Sequence, residues 1–496
     1  MNRALLAMAS ALGFAWLMAG CAALPPSSQS FVVAETVNFE VISSLGEKRT
    51  RELVHQFELF HAAALAAFDM PTTPARHGRT RVIAFDDRSL GRPFAVRGAS
   101  AYYLPRVEGG LLVLRAPGGW DHRITRSLRA AYAHRLLRSR SLHRLPLWVG
   151  EGLSQVASAA QMEVGEIRLG ALIEEHVKEV EDWRRSSLSS VLQKADLSDA
   201  SAPQRAEFEA LSWALAHSLM FGEAGRGQRA PFPEAYLAAF DGAVSGAGQR
   251  VADALLGGDG VELAARVEAH LDQPRFALRL LRPSGWDPAA LELREVAPAD
   301  AQVVLGDLAL ELGRDELARK VFERALEDAP EHARVLAGLA VARSGEFEAA
   351  LELASRAEAL AEGDAAVAMA LGRLHARGAG STDDPVEQGR RRTRAREYFS
   401  RALPVEGASA RARYEIGRSY LASSEDPAPG LEWLQTAAAL RPASLEVDLA
   451  IARLEARMGK RRAAHYRARQ VASRSQWEAL RDEARELVRE LDRSDR

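Results

Sequence analysis

His134 and Glu151 are the two side chains of this sequence best suited to do chemistry together. His134 lies in a run with helical spacing, from Ile124 to Leu137. Glu151 lies in Leu145-Pro146-Leu147-Trp148-Val149-Gly150-Glu151-Gly152-Leu153-Ser154. An imidazole and a carboxylate that meet can exchange a proton, hydrogen-bond each other, or supply two ligands to a metal ion. Two ligands are too few for a zinc site of useful affinity, and of the other histidines near these segments only one could approach the pair. His122 lies twelve residues before His134, over three helical turns away. His143 falls past the expected helix end, and His217, in Trp213-Ala214-Leu215-Ala216-His217, could face the same groove. The simplest expectation is a groove-lining His134 hydrogen-bonded to Glu151. The backbone dipole would also favour Glu151 near the start of its helix.

These residues must be positioned by a mixed α and β half. Residues 39–43, 81–85, 100–104 and 111–115 have strand character, the last two bridged by Val107-Glu108-Gly109-Gly110. Residues 47–68 show helical apolar spacing through Leu53, Phe57, Phe60 and Leu65. Segments 123–140, 151–161, 166–181 and 203–221 also read as helices. Gln273-Pro274 and the run from Arg282 to Pro288 are rich in helix breakers, so 271–297 is expected to be a linker after a domain covering 31–270.

Beyond the linker the chain is Ala-, Leu-, Glu- and Arg-rich, with paired amphipathic helices that repeat. Leu305-Gly306, Gly313, Ala318, Phe322, Ala325 and Pro330 are followed 32 residues later by Gly338, Gly345, Ala350, Ala354 and Ala357. A third, looser unit has Leu371-Gly372, Gly378, an expected insertion at 379–393, Phe399 and Ala402. A fourth has Tyr414, Gly417, Leu434, Ala437 and Pro442, and a fifth Ala452, Gly459, Ala464, Ala468 and Val471. Small residues at fixed positions let two antiparallel helices touch, and proline ends the second. The pattern resembles tetratricopeptide repeats over 298–475, with a Sel1-like third unit and a polar capping helix and tail over 476–496. Such an array implies a protein or peptide partner, not yet identified.

The segments around His134 and Glu151 resemble the gluzincin metallopeptidases, in particular the peptidase-MA-like domain often fused to tetratricopeptide repeats. In that family one helix carries His-Glu-x-x-His, and a later helix supplies a Glu as third zinc ligand. The resemblance implies that His134 is the second histidine and Glu151 the third ligand. The first histidine then falls on Ala130 and the general base on Ala131, so Ala130-Ala131-Tyr132-Ala133-His134 lacks half of the constellation. Without that Glu no group takes the proton of a metal-bound water. His134 and Glu151 are therefore vestigial metal-site positions, with no catalytic residue and no cofactor expected. Zinc enters only in the alternative of a gluzincin-type hydrolase with unconventional ligands. Arg123, Arg126, Arg129, Arg135, Arg138 and Arg140 make the helix basic, and they read as a solvated face. The sharper alternative is that Arg126 or Arg129 reaches Glu151 and replaces the charge of the lost ion.

Cys21 is the one cysteine of the 496 residues, so neither an intramolecular disulfide nor a cysteine zinc site is open to the chain. Arg3 and the apolar run from Ala4 to Leu17 read as a signal peptide over 1–20. Met18-Ala19-Gly20-Cys21 resembles the bacterial lipobox, which implies lipid attachment at Cys21 and a tether over 21–30. With Ala22 rather than Asp after Cys21, the expected place is the periplasmic face of the outer membrane. The formal net charge of −2 excludes a general nucleic-acid binder. No serine-nucleophile elbow, P-loop or dinucleotide fingerprint occurs, and Gly257-Gly258-Asp259-Gly260 reads as a turn. The expected architecture is an α+β, gluzincin-like N-terminal domain followed by an all-α solenoid. The expected function is a non-catalytic envelope lipoprotein that binds protein through its repeats.

Overall fold

The computed structural model describes residues 30–68, 70, 79–86, 92–95, 101–115, 122–140, 145–163, 166–182, 191–192, 194, 197–222, 260–273, 275–282, 288–475 and 477–493. Cys21, the signal segment, His143 and all of the tether but its last residue lie outside them, and so do the side chain of His122 and most of the 257–260 turn. Among the described residues no helix is long and apolar enough to cross a membrane.

The N-terminal half is built on a six-stranded sheet. Strands β1 (Phe31–Glu35) and β2 (Phe39–Ser43) pair antiparallel. Helix α1 (Glu47–Ala67) then crosses to β3 (Thr80–Phe85), which runs parallel to β2. Strands β4 (Ala101–Arg106) and β5 (Gly109–Arg115) form a hairpin, with β5 parallel to β3. Period-two alternation sends the side chains to two buried faces. Phe39, Val41, Val82, Ala84, Leu112 and Leu114 join one core with α1 and the helices that follow. Phe31, Val33, Ile42, Ile83, Phe85 and Val113 join a second core. A sheet covered on both faces needs near-continuous apolar strands, as Arg81-Val82-Ile83-Ala84-Phe85 and Leu111-Leu112-Val113-Leu114 are.

Helices α2 (His122–Arg140) and α3 (Leu147–Ser158) follow, then a short hairpin of β6 (Gln161–Glu163) and β7 (Glu166–Leu169), α4 (Glu174–Asp182) and α5 (Ala202–Phe221). The expected helix over 166–181 is thus a strand and then a helix. Ile167 and Leu169 alternate inward, and Gly170, at φ +98°, turns the chain where a Cβ would press on the Phe221 ring.

After α6 (Gly260–Leu271), the expected linker carries two strands instead. β8 (Arg279–Leu281) extends the β6–β7 hairpin, and β9 (Leu293–Val296) adds to the edge of the main sheet beside β1. The breakers bracket these strands rather than marking an untethered connection.

Five helix pairs and a final helix make the C-terminal half. The pairs are α7 (Pro298–Glu311) with α8 (Asp315–Asp328), α9 (Ala333–Ala342) with α10 (Phe347–Leu360), α11 (Ala365–Gly380) with α12 (Pro385–Arg401), α13 (Glu406–Arg418) with α14 (Ala428–Leu440), and α15 (Leu445–Arg457) with α16 (Arg461–Arg474). Helix α17 (Glu478–Arg493) closes the stack. Gly306 and Gly338 are crossing points, where a Cβ would lie 2.3 Å from the Phe322 ring that both embrace, whereas Gly313, Gly345 and Gly459 stand in open space. The insertion expected at 379–393 is helical. The third pair simply has longer helices, and α12 begins with Pro385 behind Asp384, whose carboxylate accepts from Val386 N at 2.9 Å.

The array does not stand apart from the sheet. Ala301, Leu305, Leu308 and Ala309 of α7 share the second core with the outer face of the sheet. The β4–β5 turn pushes into the inner helices of the array, where Val107 is buried with Ala410, Val447 and Ile451. The neighbouring Glu108 lies 3.1 Å from Arg106 and 3.5 Å from Arg411, and Arg106 lies 3.1 Å from Glu311 of α7.

Candidate functional site

Tyr132 seats α2, the helix that carries His134. Its ring packs on Phe39 and Phe60, and its hydroxyl is hydrogen-bonded to His61 Nδ1 at 2.8 Å inside the core. Burial pushes His61 down to about 4, so it stays neutral at physiological pH. Helix α3 is pressed onto α5 at Gly152, where a Cβ would meet the Ser212 carbonyl at 2.3 Å. The Glu-Gly pair thus sets a carboxylate beside a packing glycine.

The structure brings His134 and Glu151 together. Both are buried, and His134 Nε2 lies 3.1 Å from Glu151 Oε2, a close contact outside hydrogen-bond alignment rather than the expected hydrogen bond. The other carboxylate oxygen accepts from Gln155 Nε2 at 2.9 Å, one helical turn on. Burial alone would raise the Glu151 carboxyl. His134, the Gln155 hydrogen bond and the more distant His176 outweigh it and hold the group below the usual carboxylate range. Helix α3 starts at Leu147, so Glu151 sits in its second turn rather than at the expected N-terminus, and its side-chain partners carry the stabilisation.

The arginine alternative does not hold. Arg126 Nη1 donates to Glu175 Oε2 at 3.1 Å, and Arg129 Nη1 donates to the Ala160 carbonyl at 3.1 Å while lying over the Phe60 ring. The six arginines are not a uniformly solvated face either, because Arg135 is buried. His217 is engaged elsewhere. Its Nε2 donates to the Gly170 carbonyl at 2.9 Å, and its Nδ1 lies 2.8 Å from His270 Nε2. Ala130 lies one turn before His134, and both alanines are buried. Ala131 lines a small void on another side of α2, with Tyr103, Arg135 and Arg138. Among the described residues no group of three metal-ligating side chains is gathered.

Two neighbours carry no motif in the sequence. His176 of α4 is buried against Trp213 and held neutral, pushed down to about 4 chiefly by burial. Glu209 of α5 is pushed up to about 8 by burial and by the charge of Glu151. Neither lies at a spacing that links it to His134. Gln155, four residues after Glu151, was the one neighbour that helix periodicity could have supplied.

A cavity of about 250 Å³ opens beside the pair, and half of its wall comes from the array. His134, Arg138, Leu147 and Glu151 form one side, and Leu445, Asp448, Arg467 and Arg474 of α15 and α16 form the other. Around its rim the last repeat is tied down. Arg474 Nη2 donates to the Leu145 carbonyl at 2.8 Å, Leu197 N donates to Ser473 Oγ at 3.1 Å, and Arg205 Nη2 donates to the Ala472 carbonyl at 3.2 Å.

No family model matches the chain, and no curated protein matches it. Among solved structures, a thermophilic TPR protein of Thermus thermophilus is matched over 38% of this chain and 98% of its own, with 22% identity and a TM-score of 0.34. Pseudomonas aeruginosa pilF is matched over 40% of this chain and 89% of its own, with 21% identity and a TM-score of 0.29. The tetratricopeptide-like character of residues 298–474 rests on the helix pairs and their glycine crossings.

Proposed function

We propose that this chain is a non-catalytic lipoprotein of the bacterial cell envelope, in which a gluzincin-like domain has exchanged its metal for a direct His134–Glu151 contact. The observation that carries the reading is the 3.1 Å approach of His134 to Glu151, with alanine at the positions where the resemblance calls for a first ligand and a base. A carboxylate and an imidazole this close leave no room for an ion between them. The array has a first partner inside its own chain, because the β4–β5 turn already occupies its inner helices. An external protein or peptide would bind the remaining repeat surface, and Cys21 would supply the anchor at the outer membrane.

Metal content tests the reading. The purified protein should hold no stoichiometric zinc. Ala130→His combined with Ala131→Glu should create zinc affinity, with His134 and Glu151 as the other ligands. One zinc per chain in the unmodified protein, lost in His134→Ala, would replace this reading with a hydrolase. Labelling with radioactive palmitate that is lost in Cys21→Ser checks the anchor.

A further inference from the structure

The basic side chains around the cavity are not equivalent. Arg467 meets Asp448 at 2.9 Å and Glu455 at 3.2 Å. Arg474 donates to the Leu145 carbonyl and to Gln470 Oε1. Arg138 of α2 lines the same cavity with no hydrogen-bond or ion-pair partner among the described residues, and its Nε is buried. Burial pushes its guanidinium below the usual arginine range. A cation left unpaired in a part-buried wall is costly, and an anion entering the cavity would relieve that cost. The carboxylates whose charge Arg138 feels make their short contacts elsewhere, Asp448 with Arg467 and Glu446 with the Ser444 hydroxyl, and Glu151 of the wall contacts His134 and Gln155. His134 is itself 8% exposed. Leu137, Leu147, Phe208 and Leu445 give the wall an apolar part, beside the polar Gln470 and Ser473.

We propose that the cavity binds a ligand with one carboxylate and an apolar body, the carboxylate on Arg138 and the body between Leu147, Phe208 and Leu445. At about 250 Å³ the space suits a terminal side chain or a short acyl chain rather than a nucleotide. Two sources offer that chemistry, the C-terminal end of a peptide and a free short-chain acid. The wall comes from both halves of the chain, so the ligand also fastens the last repeat to α2 and α3. The inference stands apart from the zinc question, because Arg138 faces the cavity whether or not a metal binds.

Calorimetric titration of the full chain tests it with four probes: octanoate, 1-octanol, N-acetyl-Ala-Leu with a free carboxylate, and the same dipeptide as its C-terminal amide. At least one acid should bind about tenfold or more tightly than its neutral counterpart, a difference of ~1.4 kcal/mol. The acid that wins identifies the source. Arg138→Met should bring the acid-to-neutral ratio to about one, and Arg138→Lys should keep most of the preference for the acid. Equal binding of acid and neutral probes overturns the proposal, as does failure of both acids to bind at millimolar concentration, or an Arg138→Met protein that still prefers the acid. If Arg138→Met does not fold, the ratio in the unmodified protein and in Arg138→Lys still decides.

Discussion

The two ends of the array meet the N-terminal half with opposite chemistry. At the first repeat, Leu305, Leu308 and Ala309 continue a core that already contains Phe31, Ile83 and Phe85, all of them nearly or fully removed from solvent. At the last repeat and the closing helix, Ser473 Oγ accepts from the Leu197 amide, Arg485 donates to the Ala200 carbonyl and Arg205 donates to the Ala472 carbonyl, beside a cavity. The first seam is held by apolar area, worth about 25 cal/mol per Å² buried, and opening it exposes the inside of the protein. The second is held by hydrogen bonds worth ~0.5–1.5 kcal/mol each, which water can replace. A repeat array can therefore be fused to its neighbour at one end and only latched at the other. The candidate site lies at the latch.

The largest effect should come from cutting the fused seam. Phe85 is fully buried and stacks on Phe94 with centroids 5.6 Å apart. Phe85→Ala should cost ~3–5 kcal/mol. Because the core is shared, urea unfolding followed by near-ultraviolet signals of the N-terminal half and by helicity should move together. Two separate transitions would show that the seam does not couple the halves.

The buried charges of the β4–β5 turn come next. Arg106 and Arg411 outweigh burial at Glu108 and hold its carboxyl far below the usual range, and Arg418 and Arg411 hold Glu415 down at about 2. Glu108→Gln should destabilise toward the lower end of the ~3–5 kcal/mol for breaking a buried pair, since Glu311 and Glu415 still face the arginines. Depressed carboxylates bind fewer protons folded than unfolded. Their contribution is therefore present above an unfolded value near 4.5 and is lost as pH falls through the folded values. Acid unfolding of Glu108→Gln should start from lower stability and show a shallower fall below about pH 4.5.

What the sequence made legible follows the same division. The repeat positions stood out because helix pairs cross at small residues: Gly306 and Gly338 both face Phe322, and Ala318 and Ala350 are fully buried. Strands β2 to β5 stood out because two-sided burial demands apolar runs. His134 and Glu151 could be paired because a motif linked them. The latch was invisible, because Ser473, Arg474 and Arg485 bond main-chain atoms of a segment with no periodicity of its own. Arg138 looked like one more surface arginine until α15 and α16 were seen to cover it. The strands at 279–281 and 293–296 are only three and four residues long. Their identity comes from the partners they pair with, across more than a hundred residues of chain, and breakers nearby masked them.

A smaller effect is expected at the latch. Arg485 Nη2 donates to the Ala200 carbonyl at 3.1 Å, and its Nε donates to the Ser198 carbonyl. Arg485→Ala removes both bonds without touching the cavity wall, and should cost ~1–3 kcal/mol, the range for bonds from a charged donor. Hydrogen exchange should quicken at Leu197, whose amide is held by Ser473, while the amides of β2 and β3 keep their protection. Loss of protection across the sheet would mean that the two seams open as one.

The last effect is read from a pH dependence. Glu209, on the latch side, feels Arg205 and Arg481, yet burial and Glu151 dominate and push it up to about 8. The folded state thus keeps a proton that the unfolded chain gives up near the ordinary value of 4.5. Glu209 contributes stability that is fully present below about 4.5 and is lost as pH rises through 8. Histidines act in the opposite sense over part of that range. His61, His176 and His217 are each pushed down to about 4, so they stay neutral when folded, and they cost stability as pH falls below 6.5, where the unfolded chain takes up protons. The two trends overlap in the unmodified protein, and one substitution separates them. Glu209→Gln keeps the size of the side chain and removes its titration, so the difference in stability between variant and parent isolates this group. Measured by urea unfolding from about pH 5 to about pH 8, that difference should move steadily in favour of the variant as pH rises. A difference independent of pH would place the Glu209 carboxyl in solvent and detach it from the charge of Glu151.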